Sequence, residues 1–287
     1  MWKARRAAAL RSHAAPLWQD AVMLNADTYQ HISFSRSGRV LTITLNRPAQ
    51  RNAVNGRLHA ELSRVFTDAQ RDAASDVVLL TGAGTAFCAG GDIAWMQEGV
   101  HDPAGFERTG REGKDILFSQ LDLEKPLVCA LNGHATGLGA SLALLCDVVI
   151  AAQGAKLGDP HVSVGLVAGD GGALIWPQLI GYARAKRYLL TGELMSATEA
   201  ERLGLVSEVV ADDQVLPVAM ALAQRLAAGA TQAIRWTKVT TNLPLKALIH
   251  AHFDAGLAYE LLSNRTADHA EAVAAFRERR APVFTGR

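Results

Sequence analysis

The chain has 287 residues, of which 49% are hydrophobic and 20% are charged, and its formal net charge is +1 at pH 7. This length and hydrophobic content suffice for a large buried core, either one α/β domain of about 200–250 residues with an appendage or two domains. The small net charge argues against nucleic acid or an acidic membrane surface as a partner, and it favours a catalytic or small-molecule role.

The cysteines and the apolar runs bear on the environment of the protein. Cys88, Cys129 and Cys146 all lie in apolar or glycine-rich stretches, and three cysteines cannot all be paired with one another. We therefore expect a reducing compartment without a disulfide framework. No apolar run reaches the roughly 18–20 residues that span a bilayer, so we predict no membrane partner.

The first 22 residues differ in composition from the rest of the chain. They are rich in alanine and arginine and contain no acidic residue before Asp20. Such a segment is consistent with a mitochondrial transit peptide, a disordered extension, or an upstream start that precedes a native Met23. We interpret residues 1–25 as a disordered N-terminal extension with no role in the chemistry. We expect a cytoplasmic protein, or a mitochondrial matrix protein if the segment is a transit peptide.

The next part of the chain alternates between strand and helix patterns. Residues 31–36 and 40–45 alternate around a Ser-Gly turn and predict a β-hairpin, which Pro48 ends. Residues 55–71 carry apolar side chains at helical spacing. Residues 76–81 form a short apolar run, as expected of a strand covered on both faces. A glycine-rich turn at residues 82–93 follows this strand directly.

A second glycine-rich turn lies at the centre of the chain. An apolar run at 126–131 leads into Gly133, Gly137 and Gly139, and an Ala/Leu-rich segment then precedes another apolar run. This order predicts strand, tight turn, buried helix and strand. Glycines in such a turn allow backbone N–H groups to approach a ligand closely, so the two turns predict a site for developing negative charge. The alternative is a βαβ unit whose glycines serve only the turn and the helix packing.

The remainder of the chain becomes increasingly helical. Residues 94–122 predict one or two helices over the site, residues 177–190 predict a helix, and residues 191–210 predict a loop, a short helix and a returning strand. From residue 216 onward the pattern is almost wholly helical. We therefore divide the chain into a core at 26–211 that holds the active site and a helical C-terminal region at 212–287.

Five segments together resemble the crotonase superfamily, the enoyl-CoA hydratase/isomerase family. They are LNRPAQRNAV (45–54), TAFCAGGDI (85–93), ALNGHATGLGASLALLCDVVIA (130–151), GDPHVSVGLVAGDGG (158–172) and TGELMSATEAERLGLVSEVV (191–210). They occur in the family's order and approximate spacing. The resemblance implies an α/β fold, namely a spiral of ββα repeats with a C-terminal helical trimerisation region. It also implies a homotrimer or a dimer of trimers that acts on an acyl-CoA thioester.

The resemblance further implies a set of site residues. The thioester carbonyl oxygen would lie between the backbone N–H groups of Gly91 and Leu138, which form an oxyanion hole. Coenzyme A, as the acyl carrier of the substrate, would contact a group of residues near the first glycine turn: Arg51, Ala53, Ala89, Gly90, Asp92 and Ile93. No other cofactor and no metal is expected.

The chain departs from the hydratases at their two catalytic glutamates, where it has Ser141 and His161. Nine residues after His161 lies Asp170, and a carboxylate beside an imidazole makes the ring a usable acid or base. A histidine and an aspartate at these positions resemble the branch that hydrolyses carbon–carbon bonds in cyclic β-diketones. An acid in this loop also resembles the dienoyl-CoA isomerases and the dehalogenases. Alternatively His161 caps or packs, Asp170 is a turn residue, or Asp159 orients the ring.

Glu107 and Glu112, in the segment that covers the site, are candidate substitutes for the missing glutamates, although acids on such a segment are usually solvated. Ser141 is a candidate catalytic residue, and the alternative is that this small residue at a helix start fills space or orders a water. The leading hypothesis is an enoyl-CoA hydratase/isomerase-like enzyme that uses His161 and Asp170 for proton transfer. The alternatives are a β-diketone hydrolase and a catalytically silent acyl-CoA binder.

Overall fold

The structure is a computed structural model that describes residues 23–287. Residues 1–22 of the extension that we predicted at 1–25 lie outside this range. Within it the chain forms two β-sheets with helices packed around them. The strands are β1 (Ile32–Ser37), β2 (Val40–Leu45), β3 (Val77–Gly82), β4 (Ala86–Cys88), β5 (Leu127–Leu131), β6 (His134–Thr136), β7 (Val148–Ala152), β8 (Lys156–Gly158), β9 (Met195–Ser196) and β10 (Glu208–Val210).

The larger sheet has six strands in the order β1-β2-β3-β5-β7-β10. β1 and β2 form the antiparallel hairpin expected from the sequence, with Ile32 opposite Leu45. The later strands pair in parallel. Every residue of β3 and β5 is buried, because helices or the second sheet cover both faces of these strands. The apolar run at 76–81 is therefore a central strand, as predicted.

The smaller sheet has four strands in the order β4-β6-β8-β9. Its first three strands each follow a strand of the larger sheet, so the chain repeatedly makes one strand in each sheet before it enters a helix. This repetition is the predicted spiral of ββα units, and it confirms the α/β assignment. β4 pairs in parallel with β6, with Ala86 opposite His134, so the turns that follow these two strands lie side by side.

The α-helices surround the two sheets. They are α1 (Gly56–Arg71), α2 (Ile93–His101), α3 (Pro103–Asp122), α4 (Leu138–Leu144), α5 (Gly172–Ile180), α6 (Tyr182–Thr191), α7 (Ala197–Leu203), α8 (Val215–Ala227), α9 (Thr231–Ser263) and α10 (Ala267–Glu278). α1 begins where Asn55 accepts a hydrogen bond of 2.9 Å from the Leu58 N–H. It buries the apolar face that its sequence predicts, including Leu62 and Phe66.

The C-terminal region consists of helices, as expected from the sequence. α8 places Val215, Ala219 and Ala223 in the same core as the larger sheet, so its packing is continuous with the core. The division at residue 212 remains a prediction. α9 is 33 residues long and runs back over the active-site face. Among residues 23–287, none of the helices combines the length and hydropathy that a membrane span requires.

Candidate active site

The two glycine-rich turns meet at one cavity. Gly91 follows β4, Leu138 is the first residue of α4, and both residues line the cavity. Neither backbone N–H donates a hydrogen bond to another residue within 23–287. An N–H at the first turn of a helix has no partner within the helix, so the N–H of Leu138 is available to a ligand. The structure thus brings the two predicted donors together and leaves both free.

The close approach of these two turns requires glycine at Gly139. A Cβ atom there would lie 2.4 Å from the carbonyl oxygen of Cys88, which is far below van der Waals contact. Gly137 has φ +53°, in the left-handed region, and a Cβ atom on it would lie 3.2 Å from Cε1 of His161. The glycines therefore set both the path of the turn and its distance from the imidazole.

The first cavity, which we name the acyl cavity, has mostly apolar walls. It offers about 80 Å³ to water-sized molecules, and its lining includes Gly91, Trp95, Phe106, Leu138, His161, Phe253, Leu257 and Leu261. The polar side chains in the lining are few, and they include Asp170, Glu260, His59 and Asn264. An apolar cavity with a few convergent polar groups is typical of a small-molecule site.

The second cavity, which we name the channel, adjoins the first and offers about 400 Å³. Every residue that the resemblance assigned to coenzyme A lines it, namely Arg51, Ala53, Ala89, Gly90, Asp92 and Ile93. The acyl cavity and the channel share Gly91, Met96 and His161 in their linings. A long, thin ligand that occupied both would therefore place its central atoms between the free N–H groups and His161.

Two of the channel residues have identifiable structural settings. Asp92 forms a 3.0 Å ion pair with Arg47 and accepts a hydrogen bond from the Ala94 N–H, so its side chain begins α2. Arg51 is exposed and has φ 51°, in a left-handed turn. The exposed guanidinium at the mouth of the channel suits a phosphate group.

His161 lies between two carboxylates. Its Nδ1 is hydrogen-bonded to Asp159, which is fully buried, and its Nε2 lies 3.5 Å from Oδ2 of Asp170. The ring is 10% exposed, and it begins a short 3₁₀ turn at His161–Val164. Asp159 thus hydrogen-bonds to one ring nitrogen, and Asp170 lies within ion-pair distance of the other without a hydrogen bond to it. The sequence had left the roles of these two carboxylates as alternatives.

The surroundings of His161 favour its protonated form. Burial alone lowers the pKa of His161, but the charges of Asp159 and Asp170 outweigh burial and hold the pKa well above its usual range. Burial raises the pKa of Asp170, although the charge of His161 opposes the rise. The group therefore retains protons at neutral pH that the isolated side chains would lose, so it can donate a proton as well as accept one.

Ser141 joins the same group. Its side chain is fully buried in α4, and its hydroxyl donates a hydrogen bond of 3.3 Å to Oδ1 of Asp170. Ser141 therefore helps to position the carboxylate of Asp170.

The structure adds a carboxylate that the sequence analysis missed. Glu260, on α9, lines the acyl cavity and interacts electrostatically with His161 and Asp170. Burial raises the pKa of Glu260 to about 8, with His161 opposing and Asp170 adding to the rise. α9 can approach His161 this closely because Gly169, in the loop before α5, packs against Gly256 of α9. A Cβ atom on Gly169 would lie only 2.4 Å from the Gly256 carbonyl oxygen.

The two glutamates that we considered from the sequence have other partners. Glu107 forms an ion pair with Arg265 and is 44% exposed. Glu112 accepts a hydrogen bond of 2.7 Å from Nδ1 of His59, whose ring lines the acyl cavity. Neither carboxylate lines the cavity, whereas Glu260 does. The sequence contained one signal for Glu260. It lies three residues after Leu257 and seven after Phe253, so it places an acid on an otherwise apolar face of the helix.

The residues around His161 also include a possible cation site. Asp159, His161 and Asp170 each place one ligand atom within 4.8 Å of the others. However, Asp159 and Asp170 already contact the two ring nitrogens, so a metal ion would have to displace one of these contacts. The absence of a metal remains a prediction.

Comparison with known proteins gives consistent matches. The sequence profile described as enoyl-CoA hydratase/isomerase matches residues 35–287. The 1,2-epoxyphenylacetyl-CoA isomerase of Escherichia coli is 36% identical over 253 residues, which cover 86% of this chain and 95% of that protein. The crystal structure of an enoyl-CoA hydratase/isomerase from Mycobacterium paratuberculosis has a TM-score of 0.82 at 39% identity, covering 85% of this chain and 97% of that chain.

A third similar protein has a different activity. A β-diketone hydrolase from the cyanobacterium Anabaena, solved with (S)-3-oxocyclohexyl acetic acid bound, has a TM-score of 0.78. It is 31% identical in sequence, and the match covers 83% of this chain and 96% of that chain. The profile match extends over both sheets and all the C-terminal helices described above.

Proposed function

Because the chain belongs to the enoyl-CoA hydratase/isomerase family, we propose that it acts on an acyl-CoA thioester through an enolate intermediate. The N–H groups of Gly91 and Leu138 bind the enolate oxygen. Fixed backbone dipoles stabilise an enolate more than the ground-state carbonyl. Removal of one such donor typically raises the activation free energy by about 2.7–4 kcal/mol. Changing the Leu138 side chain leaves this donor in place, so the conformation of the glycine turn decides its position.

The observation that supports this proposal best is the junction of the two cavities. The channel reaches the surface beside Arg51, the acyl cavity is enclosed by apolar side chains, and both include Gly91 and His161 in their walls. Coenzyme A extends along the channel, and the acyl group fills the acyl cavity. The thioester carbonyl then lies at the junction, beside the two free N–H groups.

Proton transfer belongs to the group formed by His161, Asp170 and Glu260. The imidazolium of His161 donates a proton, the carboxylate of Asp170 accepts one, and Ser141 and Asp159 keep these two groups in place. Glu260 approaches the same reaction centre from α9 and, with a pKa of about 8, carries a proton at neutral pH. Hydration of a 2-enoyl thioester requires a base that takes a proton from water as the water adds to the β carbon, and an acid that protonates the α carbon. Isomerisation requires that a proton be moved between the γ and α carbons. This group offers both an acid and a base.

A second candidate is the hydrolysis of a carbon–carbon bond in a β-diketone, with or without coenzyme A. The similarity to the Anabaena enzyme favours it, together with the replacement of both glutamates by Ser141 and His161. In this reaction the group around His161 activates water for attack on one carbonyl. The free N–H groups stabilise the enolate that leaves when the bond breaks, and Glu260 returns a proton to its carbon.

One substrate panel separates these candidates. Purified protein is assayed for loss of the enoyl thioester absorbance with crotonyl-CoA and longer 2-enoyl esters, and for ring opening with cyclic β-diketones. Turnover of a 2-enoyl ester that is lost in His161→Gln supports the first candidate, and turnover of diketones alone supports the second. Hydration that survives His161→Gln removes this residue from the mechanism. Tight binding of CoA esters without turnover of any compound would leave the silent acyl-CoA binder.

We also propose that the chain assembles as a homotrimer or a dimer of trimers. Large apolar side chains on α9, including Trp236 and Leu262, are more than 60% exposed in the single chain. Several large apolar side chains exposed along one helix favour an interaction surface there. Light scattering after size-exclusion chromatography measures the mass directly, and a monomer at micromolar concentration would contradict the assembly.

A further inference from the structure

Asn264 is a buried amide without a hydrogen-bonding partner. Its side chain lies in the wall of the acyl cavity and is 3% exposed. Neither Nδ2 nor Oδ1 forms a hydrogen bond with any residue in 23–287. Leaving a buried polar group unpaired costs about 1–3 kcal/mol, so an amide in this state requires an explanation.

The local structure of α9 does not explain this asparagine. Asn264 follows the last residue of the helix, where asparagine is often chosen because it tolerates the left-handed conformation. Here its backbone is right-handed, with φ −58° and ψ −24°. Its side chain takes no part in ending the helix, since the backbone N–H bonds to the carbonyl of Glu260 instead. An apolar residue would serve the helix equally well.

The position of Asn264 relates it to the reaction centre. Glu260 and Asn264 are four residues apart and therefore lie on the same face of α9, about 6 Å apart along the helix axis. Glu260 adjoins His161, whereas Asn264 lines the acyl cavity and not the channel. Asn264 also lines a separate surface groove together with Arg265 and Thr266. Within the site, it therefore lies at the end away from the channel. Its neighbours include Gly99 and Phe106, which offer it no polar side chain.

The wall formed by α1 carries another free polar atom. Nδ1 of His59 is bound to Glu112, which leaves Nε2 as the free ring nitrogen. A Cβ atom on Gly113, another cavity residue, would lie 3.9 Å from this nitrogen. Nε2 has no hydrogen bond within the described residues, so this wall of the otherwise apolar acyl cavity also offers a polar group to its contents.

From these observations we propose that the acyl group of the substrate carries an oxygen substituent, a ketone or a hydroxyl, remote from the thioester. A ketone accepts a hydrogen bond from Nδ2 of Asn264, and a hydroxyl can in addition donate one to Oδ1. A neutral group fits better than a carboxylate because no lysine or arginine lines the described cavity to balance a negative charge. The inference rests on the proposed action on acyl-CoA esters and adds the class of acyl group to it.

The test measures binding and so does not depend on which reaction follows. Dissociation constants are measured by calorimetry for a series of straight-chain saturated CoA esters and for the matching esters with a ketone at the penultimate carbon. At the best-fitting length, we expect the ketone ester to bind at least about tenfold more tightly. Asn264→Leu and Asn264→Ala should remove this preference, whereas Leu261→Ala, which changes an apolar part of the same wall, should affect both esters alike.

A second measurement does not require a ligand. Because the amide has no partner, Asn264→Leu should leave the midpoint of thermal unfolding unchanged or raise it. A clear decrease in this midpoint would mean that the amide stabilises the fold, and it would overturn the inference. Equal binding of both ester series by the wild-type protein would also overturn it, while leaving the proposed function intact. Failure of every CoA ester to bind would overturn both.

Discussion

Replacing Glu260 by glutamine removes one titrating group from the site while keeping the shape of the side chain. Burial raises the pKa of Glu260 from its ordinary 4.5 to about 8. Between these two values the native protein therefore binds more protons than the unfolded chain, and the free energy of unfolding falls as the pH rises. The stabilisation of the protonated carboxyl is fully present below about pH 4.5 and is lost as the pH passes through 8.

The size of this effect follows from the two pKa values. Each unit between the folded and unfolded pKa corresponds to about 1.4 kcal/mol, so Glu260 accounts for on the order of 5 kcal/mol across the window. This figure is an upper value, because His161 and Asp170 titrate together with Glu260. Glu260→Gln should match the wild type near pH 5 and be more stable above pH 8, and its catalytic rate should fall by about 100-fold or more.

Urea unfolding at a series of pH values measures the effect, with fluorescence of the fully buried Trp176 as one signal. Glu124→Gln is the control, because it removes the same charge from an exposed side chain on another part of the surface. We expect the control to follow the wild-type curve and Glu260→Gln to depend less on pH. Parallel curves for the wild type and Glu260→Gln from pH 5 to 9 would refute the assignment of a raised pKa to this carboxyl.

Three further substitutions test other parts of the site. Asp170→Asn should lower kcat by about 10²–10⁴ while the dissociation constant of a CoA ester changes little, because proton acceptance is lost but not binding; equal loss of binding by calorimetry would argue for a structural role. Gly139→Ala should cost about 1–3 kcal/mol in urea unfolding and lower kcat, since its Cβ would meet the Cys88 carbonyl oxygen at 2.4 Å; an unchanged enzyme would contradict this geometry. Arg51→Ala should raise KM several-fold at constant kcat and weaken the salt dependence of KM; an unaltered KM at low salt would remove Arg51 from the phosphate site.

Much of the fold followed from the sequence because its signals are local. The hairpin around residue 38, the buried strand at 76–81 and the strand–turn–helix at 126–144 each show their period and their turn residues within about 20 residues. The two glycine turns were also expected to converge, and the parallel pairing of β4 with β6 brings them together. Gly91 and Leu138 were singled out through the family resemblance, because the turns alone do not indicate which of their N–H groups would face a ligand.

The polar half of the site was less accessible to sequence reasoning. Glu260 lies 90 residues after Asp170, and it reaches His161 only because Gly169 allows α9 to approach the loop. Such a contact between distant segments leaves no periodic signal, apart from an acid within an apolar helix face. The sequence also could not decide between Asp159 and Asp170, since both flank the ring in space. For Glu112, the helical spacing did not reveal that its carboxylate turns toward His59.

The most direct test of the enolate proposal follows the exchange of an α-proton of butyryl-CoA with deuterium from solvent, measured by NMR. A saturated ester has no double bond to hydrate, so exchange reports enolate formation alone. We predict that the wild-type protein catalyses exchange at the α carbon, and that His161→Gln and Asp170→Asn slow it by about 100-fold or more while still binding the ester. Binding of butyryl-CoA without exchange, or exchange at the wild-type rate in both variants, would contradict the account.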